Sequence, residues 1–167
     1  AGDCLVAVSD VGRLRYHGPA DLSGTYGLAV NAQLVDPEGP RKDVGSATGT
    51  VAGQVLPVVD PATVTGTATG AEDTAFAIDI TSAVSDLDGS EAITQYTIDG
   101  ASIPTGSTLT GGTVNAAAGQ DAGVADVTSV TFDAPDDYSG TFGMVVPAQV
   151  VDTAGTLTAV GSDTGTI

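Results

Sequence analysis

The sequence contains two copies of one pattern, separated by a constant offset of 116 residues. Residues 8–51 align with residues 124–167 without a gap, and nearly half of the 44 aligned pairs are identical. A register kept over that length identifies a true repeat rather than a bias of composition. The offset predicts that residues 1–51 are the C-terminal half of one repeat, that 52–60 form a linker, and that 61–167 form a complete repeat. The first copy therefore lacks its own N-terminal strands.

Short segments of alternating apolar and polar residues recur through the complete repeat, and Gly, Pro, Asp or Ser bound each of them. The seven candidate strands are 63–69, 75–80, 93–98, 107–114, 125–132, 141–151 and 156–166. No segment shows a sustained helical period. That number of short strands is typical of a Greek-key sandwich, so the sequence predicts an all-β fold of Ig-like β-sandwich repeats.

The charge of the chain excludes some functions and raises a question of stability. The formal net charge is -17, and only 4 residues are Lys or Arg. A surface this acidic repels nucleic acid and anionic lipid head groups, and no apolar stretch is long enough to span a membrane. Residues 52–167 carry 15 Asp and Glu and no Lys or Arg. Their repulsion requires high salt, a tolerant solvated surface or a bound divalent cation, and composition does not decide among the three.

Most of these carboxylates fall in predicted turns, where Asp also bonds its own backbone. Because successive connections of a sandwich alternate between its ends, we expect one group where the linker enters and another at the opposite end. The first group is Asp60, Asp86, Asp88 and Asp152, joined by Asp21 from the preceding half-repeat, and the second is Glu72, Asp73 and Asp136. Oxygen ligands that converge from several loops suit Ca²⁺, so these residues are the predicted metal ligands.

Four motifs of the complete repeat are distinctive in combination. They are Gly-Ala-Glu-Asp-Thr-Ala at 70–75, Asp-Leu-Asp-Gly-Ser-Glu at 86–91, the linker Val-Leu-Pro-Val-Val-Asp-Pro at 55–61 and Ala-Pro-Asp-Asp-Tyr-Ser-Gly at 134–140. Together they resemble the tandem cadherin-like or Ig-like repeats of giant RTX-type bacterial adhesins exported by type I secretion. The resemblance implies secreted extender modules at the bacterial cell surface, stiffened by Ca²⁺ near their linkers. It also implies neighbouring repeats as partners, with any surface ligand bound by other domains.

We expect a structural role rather than an enzyme. His17 is the only histidine, and its counterpart in the second copy is Asp133, so no Ser-His-Asp set or zinc spacing can be assembled. A glycosidase would need a cleft and aromatic sugar platforms, and the chain has no Trp. Two alternatives to an extender repeat stay open: a subunit of an extracellular filament or surface layer, and the ligand-binding tip domain of an adhesin.

Overall fold

The computed structural model describes residues 4–36, 43–86, 88–111, 114–117, 119, 121–124 and 130–167. Its regular structure is almost entirely antiparallel β-sheet, which confirms the predicted all-β fold. Two short 3₁₀ helices, Val8–Arg13 and Gly100–Ser102, are the only helical elements in those residues. No helix within the described ranges has the length and apolar character needed to cross a bilayer.

The described residues contain a hairpin and a two-sheet sandwich. The strands are β1 (Gly24–Asp36), β2 (Asp43–Val55), β3 (Ala62–Ala68), β4 (Phe76–Val84), β5 (Glu91–Ile98), β6 (Thr108–Gly111), β7 (Val114–Ala117), β8 (Ala122–Val124), β9 (Thr131–Asp133), β10 (Val145–Ala154) and β11 (Leu157–Thr166). β1 and β2 pair only with each other within the described ranges. The other strands form one sheet in the order β11-β10-β5-β8 and a second in the order β3-β4-β9-β6-β7.

The core lies between these two sheets and is built from residues that alternate along the strands. Val146 and Val150 of β10 are fully buried, whereas the intervening Gln149 is exposed. Phe132 of β9 is also fully buried, and its ring centroid lies 5.5 Å from that of Phe76 in an edge-on arrangement. Branched and aromatic side chains fit such a pleated surface, so the few aromatic residues of the chain are concentrated where both sheets meet.

The middle of the complete repeat differs from the predicted strands. The candidate at 107–114 contains β6 and only the first residue of β7, which pairs with β6, and β8 follows as a further strand. In the candidate at 125–132, residues 125–129 lie outside the described residues, and β9 begins at Thr131. The described part of the repeat therefore has more strands than the predicted seven. β6 ends at Gly111, whose φ of 110° suits glycine, before the end of the segment whose alternation indicated one strand.

The β1–β2 hairpin is the counterpart of the β10–β11 hairpin in the second copy. Val30 pairs with Gly49 in the first hairpin, and Val146 pairs with Gly165 in the second. These pairs are related by the offset of 116 residues, so the two hairpins have the same register. The shared sequence pattern thus produces the same strand pairing in both copies.

The two hairpins differ in what covers them. Val30 and Leu34 are 47% and 55% exposed, whereas their counterparts Val146 and Val150 are both 0% exposed. In the second copy the facing sheet buries these side chains, and in the first copy no described strand does so. Burial therefore depends on the neighbouring sheet and not on the hairpin sequence.

This difference predicts unequal effects for one substitution made in both copies. Val146→Thr places a hydroxyl in the core without a partner, and we expect it to lower the free energy of unfolding by about 1–3 kcal/mol. Val30→Thr changes an exposed side chain, and we expect an effect within about 0.5 kcal/mol. Urea denaturation of both variants measures the difference, and equal losses would contradict the assignment of the core.

Candidate metal centre

The end of the sandwich where the linker enters carries two buried carboxylates that face each other. Glu91 is the first residue of β5, and Asp152 on β10 is its cross-strand partner. Glu91 is 8% exposed and Asp152 is 3% exposed. Like charges on directly opposite residues repel each other, and burial removes the water that would screen them. The pair therefore needs hydrogen-bond donors or a cation close to it.

Backbone N–H groups of the linker supply part of this compensation. Val58 N donates to Asp152 Oδ2 at 3.0 Å, and Asp60 N donates to Glu91 Oε1. The hydroxyl of Ser90 donates to the second oxygen of Asp152 at 2.7 Å. Both oxygens of Asp152 are thus satisfied, as buried carboxylate oxygens generally are.

A third carboxylate continues the same pattern along the linker. Ala62 N donates to Asp163 Oδ2 at 2.8 Å, and Asp163 belongs to β11. Val58, Asp60 and Ala62 are alternate residues, whose N–H groups lie on the same side of an extended chain. Three carboxylates of the sandwich therefore bind one edge of the backbone from residue 58 to residue 62, where the linker leads into β3.

Glu91 keeps one oxygen without a donor. Its Oε2 is buried and has no hydrogen-bond partner among the described residues. Burial raises the pKa of Glu91 above its ordinary value; the Asp60 N–H opposes this, while the carboxylates of Asp60, Asp86 and Asp152 add to the rise. Three of the predicted ligands thus act electrostatically on this buried carboxylate, which lacks a positive partner among the described residues. An unsatisfied buried anionic oxygen is destabilising, which makes this position attractive to a cation.

The loop between β4 and β5 is shaped by its own carboxylates. Asp86 accepts hydrogen bonds from the backbone of Asp88 at 3.1 Å and of Gly89, while Asp88 accepts one from Ser90 N at 2.9 Å. Partial burial works against ionisation of Asp86, but these donors, with Glu91 N, hold its pKa below the ordinary value. Asp86 and Asp88 therefore fix the loop conformation in addition to any role as ligands.

The exposed Asp88 acts electrostatically on the preceding half-repeat. Partial burial raises the pKa of Tyr26, and Tyr16 and the Asp88 carboxylate add to that rise. The Tyr26 hydroxyl donates to Ser23 O at 2.7 Å, which places it against the turn that contains Asp21. The loop of Asp88 thus lies within electrostatic range of that turn.

The remaining predicted ligands lie elsewhere. At the opposite end of the sandwich, Asp137 N donates to Asp73 Oδ1 at 2.8 Å and joins two turns, while Glu72 and Asp136 are exposed. Asp21 is also exposed, and its φ of 61° matches the φ of 60° at its counterpart Asp137. No hydrogen bond joins Asp21 to the linker carboxylates in the part of the chain that the structure describes.

The prediction from sequence omitted Glu91, which the structure places at the centre of the site. A signal was present, because Glu91 is in phase with Ile93 on the inward face of β5. A carboxylate in an inward position of a strand indicates a buried charge that needs a partner.

The geometry fits one side of a calcium site rather than a closed cage. Within the described ranges, no three His, Cys, Asp or Glu side chains converge closely enough to enclose a metal ion. Ca²⁺ also takes backbone carbonyl and water oxygens, so Glu91 and Asp152 could form the protein side of a site completed by loop and solvent. The metal-binding role of the predicted residues stays a prediction.

Comparisons with known proteins return no match: no family model, no curated protein and no solved structure resembles the chain closely enough to be counted. The case for a metal centre therefore comes from the side chains themselves.

The raised pKa of Glu91 predicts a pH-dependent stability. The folded chain binds the Glu91 proton more tightly than the unfolded chain does, so protonation of Glu91 stabilises the fold. This stabilisation is complete below the ordinary Glu pKa of 4.5 and is lost as pH rises through the raised pKa of the folded state. In a chelator, Glu91→Gln should melt several degrees higher than the wild type at about pH 7, and the difference should disappear by about pH 4. Thermal unfolding followed by circular dichroism measures it.

The matched control is Glu72→Gln, which removes the same charge from an exposed position. It should shift melting less and without this pH dependence. A lower melting temperature for Glu91→Gln at neutral pH would contradict the assignment of Glu91 as an uncompensated buried acid.

Proposed function

We propose that the chain is part of a secreted extender, in which carboxylates at the junction between repeats bind Ca²⁺ and hold consecutive modules in a fixed orientation. One observation carries the proposal: the buried Glu91 has an oxygen with no hydrogen-bond partner in the described part of the chain, it faces the buried Asp152, and both are hydrogen-bonded to the linker. The sequence resemblance to adhesin repeats and the internal repeat support it.

The residues of the chain explain how a junction becomes stiff. Asp152 and Glu91 bind two alternate N–H groups of the linker, and Asp163 binds the next alternate N–H group, at the start of β3, so the path of the linker into the sandwich is fixed. Bound Ca²⁺ would neutralise the repulsion among these acids and so strengthen the same contacts. The Asp86 loop contributes a preformed carboxylate beside Glu91. A linker fixed in this way acts as a spacer rather than a hinge.

A subunit of an extracellular filament or surface layer is the second candidate. It is favoured by the apolar residues that the β1–β2 hairpin exposes, since an exposed apolar surface can bind a neighbouring subunit. Such a filament would use the same carboxylates at its junctions.

The proposal predicts a specific stabilisation by Ca²⁺. A concentration near 100 times the Kd should raise the free energy of unfolding by about 2.7 kcal/mol, because the ion binds the folded state. The measurement is thermal unfolding of the whole chain with Ca²⁺, with Mg²⁺ and with chelator, at constant ionic strength. Mg²⁺ should have a smaller effect, because it prefers a stricter octahedral geometry.

Two variants locate the effect. Glu91→Gln should lose most of the response to Ca²⁺, whereas Asp79→Asn, which removes an exposed carboxylate from the surface of β4, should respond as the wild type does. A wild-type curve that chelator leaves unchanged would refute calcium binding. Equal responses from the wild type and Glu91→Gln would refute this location for the site.

A further inference from the structure

The β1–β2 hairpin exposes a surface that is core in the second copy of the pattern. This surface, called the hairpin face below, consists of Leu28, Val30, Ala32 and Leu34 of β1. Their counterparts, all buried, are Met144, Val146, Ala148 and Val150. Conserving these apolar side chains between two copies has no benefit for an exposed hairpin, and such hairpins are marginally stable alone.

The segment before the hairpin shows the same contrast. Leu14 and Tyr16 are both 54% exposed, whereas their counterparts Val130 and Phe132 are both 0% exposed. In the second copy, β9 carries Phe132 between β4 and β6 in the facing sheet. The apolar residues at 14 and 16 therefore match positions that need a whole second sheet around them.

A glycine marks where a strand of that sheet would pass. A Cβ added to Gly165 would lie 2.1 Å from Val64 O of β3, so the backbone of β3 excludes any side chain there. Gly49 is the counterpart of Gly165, and a Cβ added to it meets nothing within 4 Å. The position beside Gly49 is thus open, whereas β3 occupies the equivalent position beside Gly165 in the second copy.

The edge of β1 is also free to pair. In the second copy, residues 148–152 of β10 pair with β5 on the side away from β11. The corresponding residues 32–36 of β1 pair only with β2 in the described ranges. An unpaired strand edge is a template for another strand, and the register of β10 with β5 defines which strand would fit.

We propose that the hairpin face binds the first half of another repeat of this type, a segment with the sequence character of residues 52–123. That segment would supply a β3-like strand over Gly49, a β5-like strand on the edge of β1, and the sheet that buries Leu28, Val30 and Leu34. This inference concerns a different surface from the junction carboxylates and goes beyond the calcium proposal.

The repeat itself favours this occupant over a second copy of the chain. The matching strands of a second copy, β3 to β8, are already packed against its own β10–β11 hairpin in the described residues, and that hairpin occupies the surface that the hairpin face would need. In the second copy, residue 123 leads directly into Val124, the counterpart of Val8.

The test is a grafted chain in which residues 52–123 are placed directly before Val8. Hydrogen exchange followed by mass spectrometry, in chelator, reports the protection of β1 in the grafted and the unmodified chain. We expect exchange in β1 to slow by about 100-fold or more in the grafted chain, because local opening there becomes coupled to a packed sandwich. Peptides from β10 show in the same samples that the complete repeat is folded.

Substitution of Gly49 provides the specific control. Gly49→Ala should leave the unmodified chain unchanged but should accelerate exchange of β1 about 10-fold or more in the grafted chain, because a side chain there obstructs the incoming strand. Gly165→Ala should lower the melting temperature of both chains. Two outcomes would overturn the proposal. In the first, β1 of the grafted chain exchanges as fast as in the unmodified chain although β10 is protected. In the second, Gly49→Ala does not change the exchange of β1 in the grafted chain. The proposal would also be wrong if the protection of β1 in the unmodified chain increased with protein concentration, because a second copy would then be the occupant.

Discussion

The hydrogen bonds between the linker backbone and the carboxylates of the sandwich determine how one module is joined to the next. Val58 and Asp60 donate to Asp152 and Glu91, and both acceptors are buried at the end of the sandwich. Charged acceptors make stronger hydrogen bonds than neutral ones, so a short extended linker is held without a large apolar interface. Carboxylates used as acceptors also leave two like charges on opposite residues of β5 and β10, and one oxygen of Glu91 has no donor among the described residues. The hydrogen bonds to the linker and the need for positive charge thus have a common origin.

The complete repeat supplies no cation of its own, because residues 52–167 contain no Lys or Arg. Within the repeat, compensation of the junction acids comes from neutral hydrogen-bond donors, and beyond these it comes from protons or from ions in solution. The Val58 N–H and the Ser90 hydroxyl satisfy Asp152, and backbone N–H groups lower the pKa of Asp86, but Glu91 keeps a raised pKa. The raised pKa makes a proton on Glu91 one remaining source of compensation, and a dissolved cation is the other. The composition of the repeat thus makes its junction acids dependent on the surrounding solution.

Sequence patterns predicted the parts of the structure that depend on local order. Alternation located β3, β4, β5, β10 and β11, and the rule that connections alternate between ends correctly separated the turn of Asp73 from the loop of Asp86. The β6–β7 pair was missed because alternation does not distinguish one long strand from two shorter ones. Glu91 was missed because the carboxylates were sorted by turn, whereas its environment depends on the cross-strand register with Asp152. Register between distant strands is a property of the assembled sheet, and spacing along the chain does not encode it directly.

The two copies of the pattern separate local from neighbour-dependent structure within one chain. Both keep the hairpin register and the left-handed turn at Asp21 and Asp137, so these features need no covering sheet. Burial of Val30 and Leu34 does need one. In an array, stability is approximately a sum of unit terms and interfaces between neighbours, and a terminal unit is expected to present a polar outer face. All four residues of the hairpin face are apolar, so this surface resembles an interface between units and not the polar outer face of a terminal unit. The unit that folds cooperatively is therefore the whole sandwich, and a half-repeat keeps only the pairing of its strands.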